Sequence, residues 1–305
     1  MAELVSIVLP TYNRAHMILP AAASCLEQTY RNIEVLVVDD GSTDDTPTIL
    51  RQAAAQDRRL RYLRQEAAQL PAALNTGFRA ARGEFLTWTS DDNAYEPNAI
   101  ELMVTYLREH PEVGLVYCDY QVIDSKGELV RLSRRKPPST LQKKNCVGAC
   151  FMYRRSVADV VGEYDHEAFL AEDYDYWLRI SKAVPLAHLA GVAPYRFRIH
   201  EASLSSLRGA EAELQAARVR ARYARSPREH RTLMAAGYCA AARELCWAGR
   251  YRDAVRHSTQ AIRLSAAPFT WRSLILSHFG LWRSGVQAFR RSGPAKSRSG
   301  PSLSP

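Results

Sequence analysis

Along the first 90 residues, short unbroken apolar runs alternate with longer stretches in which apolar side chains recur at helical spacing. The runs fall at 5–9, 33–38, 60–63 and 85–88, and the helical stretches at 17–28, 45–56 and 71–82. A strand covered on both faces reads as a continuous apolar run, so this alternation predicts an α/β fold with a doubly wound, mostly parallel sheet. Ser42-Thr43-Asp44 stands where side-chain oxygens are expected to start the second helix. Beyond residue 92 the spacing predicts a helix at 97–109, a strand at 114–117, a strand at 148–153, a helix at 171–182 and a strand pair ending near Ile199. Between the two middle strands lies a polar, basic loop around Pro137-Pro138. From about Leu204 the pattern is helical throughout.

The net charge of +9 is unevenly placed. Residues 1–205 carry 23 Lys and Arg against 27 Asp and Glu, a balance of −4, whereas residues 206–305 carry 18 against 5, a balance of +13. The expected organisation is therefore an α/β domain over 1–205, an Arg-rich helical region over 206–291 and a disordered Ser/Pro/Gly/Lys-rich tail over 292–305. The basic part suits contact with an anionic partner, for which nucleic acid, a lipid phosphate and an anionic membrane surface all qualify on charge alone. No nucleic-acid motif supports the first of these. The N-terminus has neither a basic region nor a cleavage site, and reads as a first strand rather than a signal peptide. The six cysteines form no zinc-type pairs and are expected to be reduced thiols of a cytoplasmic protein.

The chemistry gathers where an open α/β sheet binds ligands, at the carboxyl ends of its strands. Pro10-Thr11-Tyr12-Asn13 follows the first run, Asp39-Asp40 the second, and Asp91-Asp92 the fourth. Any one acidic pair could be a turn or a helix cap, but three polar clusters at successive strand ends point to one crevice. Adjacent carboxylates repel unless a cation or proton lies between them. Mg2+ and Mn2+ favour one or two carboxylates together with substrate phosphates, which implies a divalent cation and a diphosphate. A further acidic cluster, Glu172-Asp173-Tyr174-Asp175, opens a helix. It is read either as an interaction with the helix dipole or as a general base for a hydroxyl.

Four blocks in order resemble the inverting family 2 glycosyltransferases of the GT-A fold. They are VSIVLPTYNR at 5–14, EVLVVDDGSTD at 34–44, Leu74-Asn75 through Gly83-Glu84 to WTSDDN at 88–93, and GEYD at 162–165 with Glu172-Asp173. The resemblance covers about residues 3–205. It implies a GT-A domain, Rossmann-like, with a helical C-terminal appendage, and transfer of a sugar from a nucleotide diphosphate, a UDP-sugar by preference, to a glycan or lipid-linked acceptor in cell-surface polysaccharide synthesis. By this likeness Pro10, Thr11, Tyr12 and Arg14 contact the nucleoside, Asp40 its base, and Asn75 and Asp91 the rest of the donor. Asp92 ligates the metal and Asp173 is the base. Ser90 departs from the pattern, standing where an Asp is usual, which leaves the metal fewer protein ligands. A Tyr-Arg-x-x-His-like stretch, Tyr195 to His200, offers Arg198 as a phosphate clamp and His200 as a second metal ligand or a diphosphate contact. The basic loop, with Arg131, Arg134, Arg135, Lys136, Lys143 and Lys144, is either solvated or a grip for an acidic acceptor.

Residues 238–268 resemble one tetratricopeptide-type hairpin through Gly249, Tyr251, Ala254, Ala261 and Pro268. Downstream, Trp271, Leu274, Ile275, Phe279, Leu281, Trp282, Val286 and Phe289 alternate with Arg272, Arg283, Arg290 and Arg291. Such a helix suits either packing or the inner face of an anionic plasma membrane. The competing function is a catalytically silent relative that binds nucleotide sugars or an anionic partner. A Rossmann dehydrogenase lacks support, because no Gly-x-Gly-x-x-Gly follows the first strand.

Overall fold

The computed structural model describes residues 3–291, so the tail expected at 292–305 lies outside the described residues, as do the side chains of Phe279, Leu281, Trp282, Arg283, Val286, Phe289, Arg290 and Arg291. The elements run β1 (Val5–Thr11), α1 (Ile18–Leu26), β2 (Ile33–Asp39), α2 (Thr46–Gln56), β3 (Leu60–Arg64), α3 (Gln69–Ala80), β4 (Phe85–Trp88), β5 (Ala94–Tyr95) and α4 (Ala99–Glu109). They continue with β6 (Leu115–Cys118), β7 (Tyr120–Ile123), β8 (Leu129–Ser133), β9 (Phe151–Arg154), α5 (Arg155–Val161), α6 (Glu172–Ala183), β10 (Leu186–Leu189) and β11 (Tyr195–Arg198). Four helices follow: α7 (Leu204–Ala221), α8 (Pro227–Trp247), α9 (Tyr251–Leu264) and α10 (Pro268–Arg291). The chain divides into two units after Arg208, where the backbone of α7 leaves helical geometry.

In the first unit a seven-stranded sheet has the order β10-β6-β9-β4-β1-β2-β3. The central strands β1 and β2 are buried at every position, which is why they read as unbroken apolar runs. Val5, Ile7 and Leu9 of β1 share one core cluster with Ile18 and Cys25 of α1, Leu50 of α2 and Met103 of α4. Towards the other face, α3 comes so close to β1 that a Cβ on Gly77 would sit 2.4 Å from a Val8 methyl. Phe78 of α3, Phe151 and Tyr153 of β9, and Tyr176 and Trp177 of α6 continue that side as a run of touching rings. Pairing is parallel except for β9, which lies antiparallel between β4 and β6.

The structure adds a second sheet, β5-β11-β7-β8, that the apolar pattern does not reveal. The expected strand pair near Ile199 is split by it: β10 joins the large sheet beside β6, and β11 the small one beside β7. The basic loop is also shorter than expected, because Leu129–Ser133 pairs with β7. The N-cap position of α2 is Asp45, without a side-chain bond, and it is Asp44 of the expected trio that meets the first helical amide, its Oδ1 accepting from Thr46 N at 3.0 Å. Ser42 and Asp44 also tie the end of β1: Ser42 Oγ accepts from Asn13 N at 2.8 Å, and Asp44 Oδ2 from Ala15 N at 3.1 Å.

The second unit is helical. Gly249 (φ 73°) ends the turn after α8, and Arg250 N donates to Leu245 O at 2.8 Å, the wrap that a left-handed residue permits at a helix C-terminus. Ala254 and Ala261 of α9 are fully buried. Helix α10 turns small groups inward, with Ser277 bonded to Ser258, and a Cβ on Gly280 would meet the Tyr251 ring at 2.5 Å. Its larger apolar side chains Trp271, Ile275 and Leu276 are exposed.

Candidate active site

Two parallel strands deliver the first cluster. β1 ends at Thr11, with Pro10 buried beside Val38 of β2, and Tyr12 emerges just past it, half exposed. Thr11 Oγ1 donates to Asp91 Oδ2 at 2.7 Å, and Arg14 Nε lies 3.8 Å from Asp91 Oδ1. Arg14 also donates to the Ala202 carbonyl at 2.9 Å, joining the end of β1 to the segment after β11. Burial pushes the Asp91 carboxyl up to about 6; the Thr11 bond and the Arg14 charge act against that rise, and the Asp92 charge adds to it.

Asp92 is held differently. Its Oδ2 lies 3.0 Å from His200 Nε2, with both side chains only 12–14% exposed. Arg198 does not aim its guanidinium at open space: Nε donates to the Asp92 carbonyl at 3.0 Å and Nη1 to the Asp124 carbonyl at 3.0 Å. Its backbone N–H meets Asn93 Oδ1 at 2.8 Å, so β11 is stitched to the 91–93 turn. A hard carboxylate oxygen beside an imidazole nitrogen fits a Mg2+ or Mn2+ that completes its shell with phosphate oxygens. No group of three or more His, Cys, Asp or Glu is assembled among the described residues.

The second cluster opens α6. Asp173 Oδ1 accepts from Tyr174 N at 2.6 Å, as a carboxylate at a helix N-terminus does, and Oδ2 accepts from Asn145 Nδ2 at 2.9 Å. Burial raises its carboxyl above the ordinary range, against the pull of those two bonds and of the Arg135 charge. Glu172 is more extreme. Burial, and after it the Asp173 charge, pushes it up to about 8, and its Oε2 has no hydrogen-bond partner. Asp175 instead pairs with Arg179 at 2.8 Å.

One tyrosine connects the clusters. Tyr164 Oη accepts from Trp88 Nε1 at 3.1 Å, at the end of β4 four residues before Asp92, and the same tyrosine feels the Asp173 charge. Tyr164 stacks on Tyr176 of α6 at 4.0 Å. Three non-glycine residues among those described have positive φ: Asn13 (53°) lies between Thr11 and Arg14, Leu170 (77°) just before Glu172, and Gln69 (72°) at the start of α3. Backbone strain of this kind persists where the surroundings over-determine it, often at functional sites.

Two expected donor contacts lie deeper in the scaffold. Asp40 accepts from Gln65 Nε2, Ala68 N and Gln69 N at 2.8–2.9 Å, which holds the start of α3. This turn requires Gly41 (φ 86°), where a Cβ would press on Ala67 N at 2.9 Å. Asn75 is buried and bonded through both ends of its amide to the Tyr164 backbone, at 2.8 and 2.9 Å. It thereby positions the bridging tyrosine. The sequence reading did not single out Asn145, and named Glu172 and Arg135 only as members of an acidic cluster and a basic loop. Glu172 had the signal of lying beside Asp173, Arg135 showed only as loop charge, and Asn145 gave no signal at all.

A sequence profile for "Glycosyl transferase family 2" matches residues 6–162, half of the chain, and the chain belongs to that family. It is 29% identical over 208 residues to an Escherichia coli protein, "UDP-Glc:alpha-D-GlcNAc-diphosphoundecaprenol beta-1,3-glucosyltransferase WfgD", covering 67% of this chain and 80% of that one. The fold is similar to that of S. aureus TarS 1-349 in complex with UDP-GlcNAc (TM-score 0.60, 16% identity, 96% of this chain and 93% of that one). It is also similar to mannosyltransferase PcManGT from Pyrobaculum calidifontis in complex with GDP-Man and Mn2+ (TM-score 0.58, 20% identity, 94% and 80%). The chain spans 32% and 28% of the length of two further relatives that it matches at 32% identity. The architecture is GT-A-like, a mostly parallel sheet followed by helices.

Proposed function

We propose that this chain moves a sugar from a nucleoside diphosphate, a UDP-sugar by preference, to an acceptor hydroxyl with inversion. The observation that carries this reading is the Trp88–Tyr164 bond, which joins β4, the strand that leads to Asp91-Asp92, to a tyrosine stacked on the helix that carries Asp173. Pro10, Thr11, Tyr12 and Arg14 would receive the nucleoside, Asp40 its base, and Asp91 the ribose or sugar. Arg198 and Asn75 act from behind, fixing the 92–93 turn and Tyr164. Asp92 and His200 would hold Mg2+ or Mn2+, which when bound supplies positive charge to the departing diphosphate. The acceptor oxygen bonds to the anomeric carbon as the carbon–oxygen bond to the diphosphate breaks, and its proton passes to Asp173. The UDP-GlcNAc complex of TarS and the GDP-Man and Mn2+ complex of PcManGT support this choice of donor and ion.

WfgD, named for a diphosphoundecaprenol acceptor, supports a glycan or lipid-linked acceptor in surface polysaccharide synthesis. No helix among the described residues is long and apolar enough to cross a membrane. Exposed Trp271, Ile275 and Leu276, beside Arg272 on a strongly basic stretch, suit docking on an anionic bilayer from the cytoplasmic side. Replacing Trp271 and Ile275 together by Ser should release the protein from phosphatidylglycerol vesicles in flotation, and equal binding would count against the docking. The deciding experiment for the transferase is release of UDP or GDP from a panel of sugar nucleotides with Mn2+ and with EDTA. Binding of a donor without any turnover would favour the silent relative.

A further inference from the structure

The segment after β8 does more than expose charge. Arg135 spreads its guanidinium over three acceptors: Nε donates to Cys146 O at 2.9 Å, Nη2 to Asn145 O at 2.9 Å and Nη1 to Tyr120 Oη at 3.3 Å. Its own backbone N–H is taken by Asp119 Oδ1 at 2.7 Å, and the same oxygen meets His188 Nε2 at 2.8 Å. Gly148 (φ 76°) makes room for this stack, since a Cβ there would lie 2.8 Å from the Tyr120 ring and 2.9 Å from Arg135 Nε. Asn145 is thus gripped through its carbonyl, and its side-chain Oδ1 accepts from Val147 N at 3.1 Å. Only its Nδ2 reaches out, to Asp173 Oδ2.

We propose that Asn145, clamped from behind by Arg135, is the positioning residue for Asp173, fixing the plane of its carboxylate and stabilising its charged form. This rests on the proposed role of Asp173. With Oδ1 tied to the helix and Oδ2 to Asn145, neither oxygen can swing away, and the lone pair left on Oδ2 keeps one direction. The charged and titratable groups facing Asp173 are Glu172 on its own helix, Arg135 behind Asn145, and Tyr164 from the segment before α6. Burial disfavours the anion, while Asn145 and Arg135 favour it; the Asp173 charge in turn makes Glu172 and Tyr164 hold their own protons more tightly.

The test is a pair of substitutions. Asn145→Asp keeps an oxygen for Val147 N but replaces the donor by a second carboxylate; Asn145→Ala removes the donor without adding charge. Two readouts apply: the pH dependence of kcat/KM, and carbon-13 titration of Asp173 in carboxyl-labelled protein, assigned with Asp173→Asn. Both variants should move the Asp173 titration and the acid limb to higher pH, Asp further than Ala, by about one pH unit or more for Asp, a tenfold loss on the acid side. A uniform fall in rate with an unmoved limb, or an unmoved carboxyl resonance, would overturn the proposal. If the resonance moves in a protein that turns over no donor, the contact stands and the transferase reading falls.

Discussion

The two acidic pairs, Asp91-Asp92 and Glu172-Asp173, present the same functional group and are held differently. Asp91 and Asp92 follow the end of a strand among polar partners drawn from two segments: Thr11 and Arg14 from the end of β1, and His200 from beyond β11. Glu172 and Asp173 open a helix against a wall of rings, and one oxygen of Glu172 has no partner at all. The first arrangement offers ligands that can be exchanged for a cation. The second starves both its carboxyls of water, which raises their affinity for protons; in the first, burial raises Asp91 as well, against the Thr11 bond and the Arg14 charge. On the proposed reading, surroundings rather than residue type would divide the labour between a pair that holds a metal and a pair that moves a proton.

That division can be broken one pair at a time. The largest effect is expected for Asp173→Asn, which should lower kcat by about 10²–10⁴-fold while leaving donor affinity within about twofold, as measured by calorimetry. A large loss of donor affinity would move Asp173 out of the proton-transfer role. Asp92→Asn should cost about 10²–10³-fold in kcat/KM with Mn2+ present, and should lower donor affinity only when metal is present. Equal loss with and without metal would merge the two pairs into one. The smallest effect is on stability. Glu172 has a folded value raised from 4.5 to about 8, so it binds its proton more tightly when folded. Its contribution is complete below pH 4.5 and is lost as pH rises towards 8. Glu172→Gln has no proton to lose, so it should melt like the natural protein near pH 5 and higher near pH 8.5, by at least about 2–4 °C. Parallel curves for the two proteins would return Glu172 to an ordinary carboxylate.

Much of this was legible before any coordinates. β1 and β2 announce themselves because both faces are covered, and the acids that follow β2 and β4 fall at strand ends by simple counting. What stayed hidden depends on pairing across distance. Leu129 to Ser133 reads as loop because four of its five side chains are exposed, and only its ladder with β7 makes it a strand. Asn75 and Asp40 read as donor contacts; that they also hold groups brought from elsewhere, the Tyr164 backbone for Asn75 and the Gln65 side chain and the Ala68 and Gln69 amides for Asp40, no pattern in the sequence shows. Asn145 could not be foreseen, since its one outward bond crosses to α6.

The antiparallel β9 has a consequence for how the chain is made. Phe85 sits beside Arg154, and Tyr117 beside Phe151, so β4 and β6 have no neighbour between them until residue 154 has emerged from the ribosome. A nascent fragment of about 120 residues holds two apolar strands with bare hydrogen-bonding edges, the form most open to wrong pairing with other chains. Translation that stalls before residue 151 is therefore expected to yield insoluble product, whereas a pause after about residue 200 lets the sheet close first.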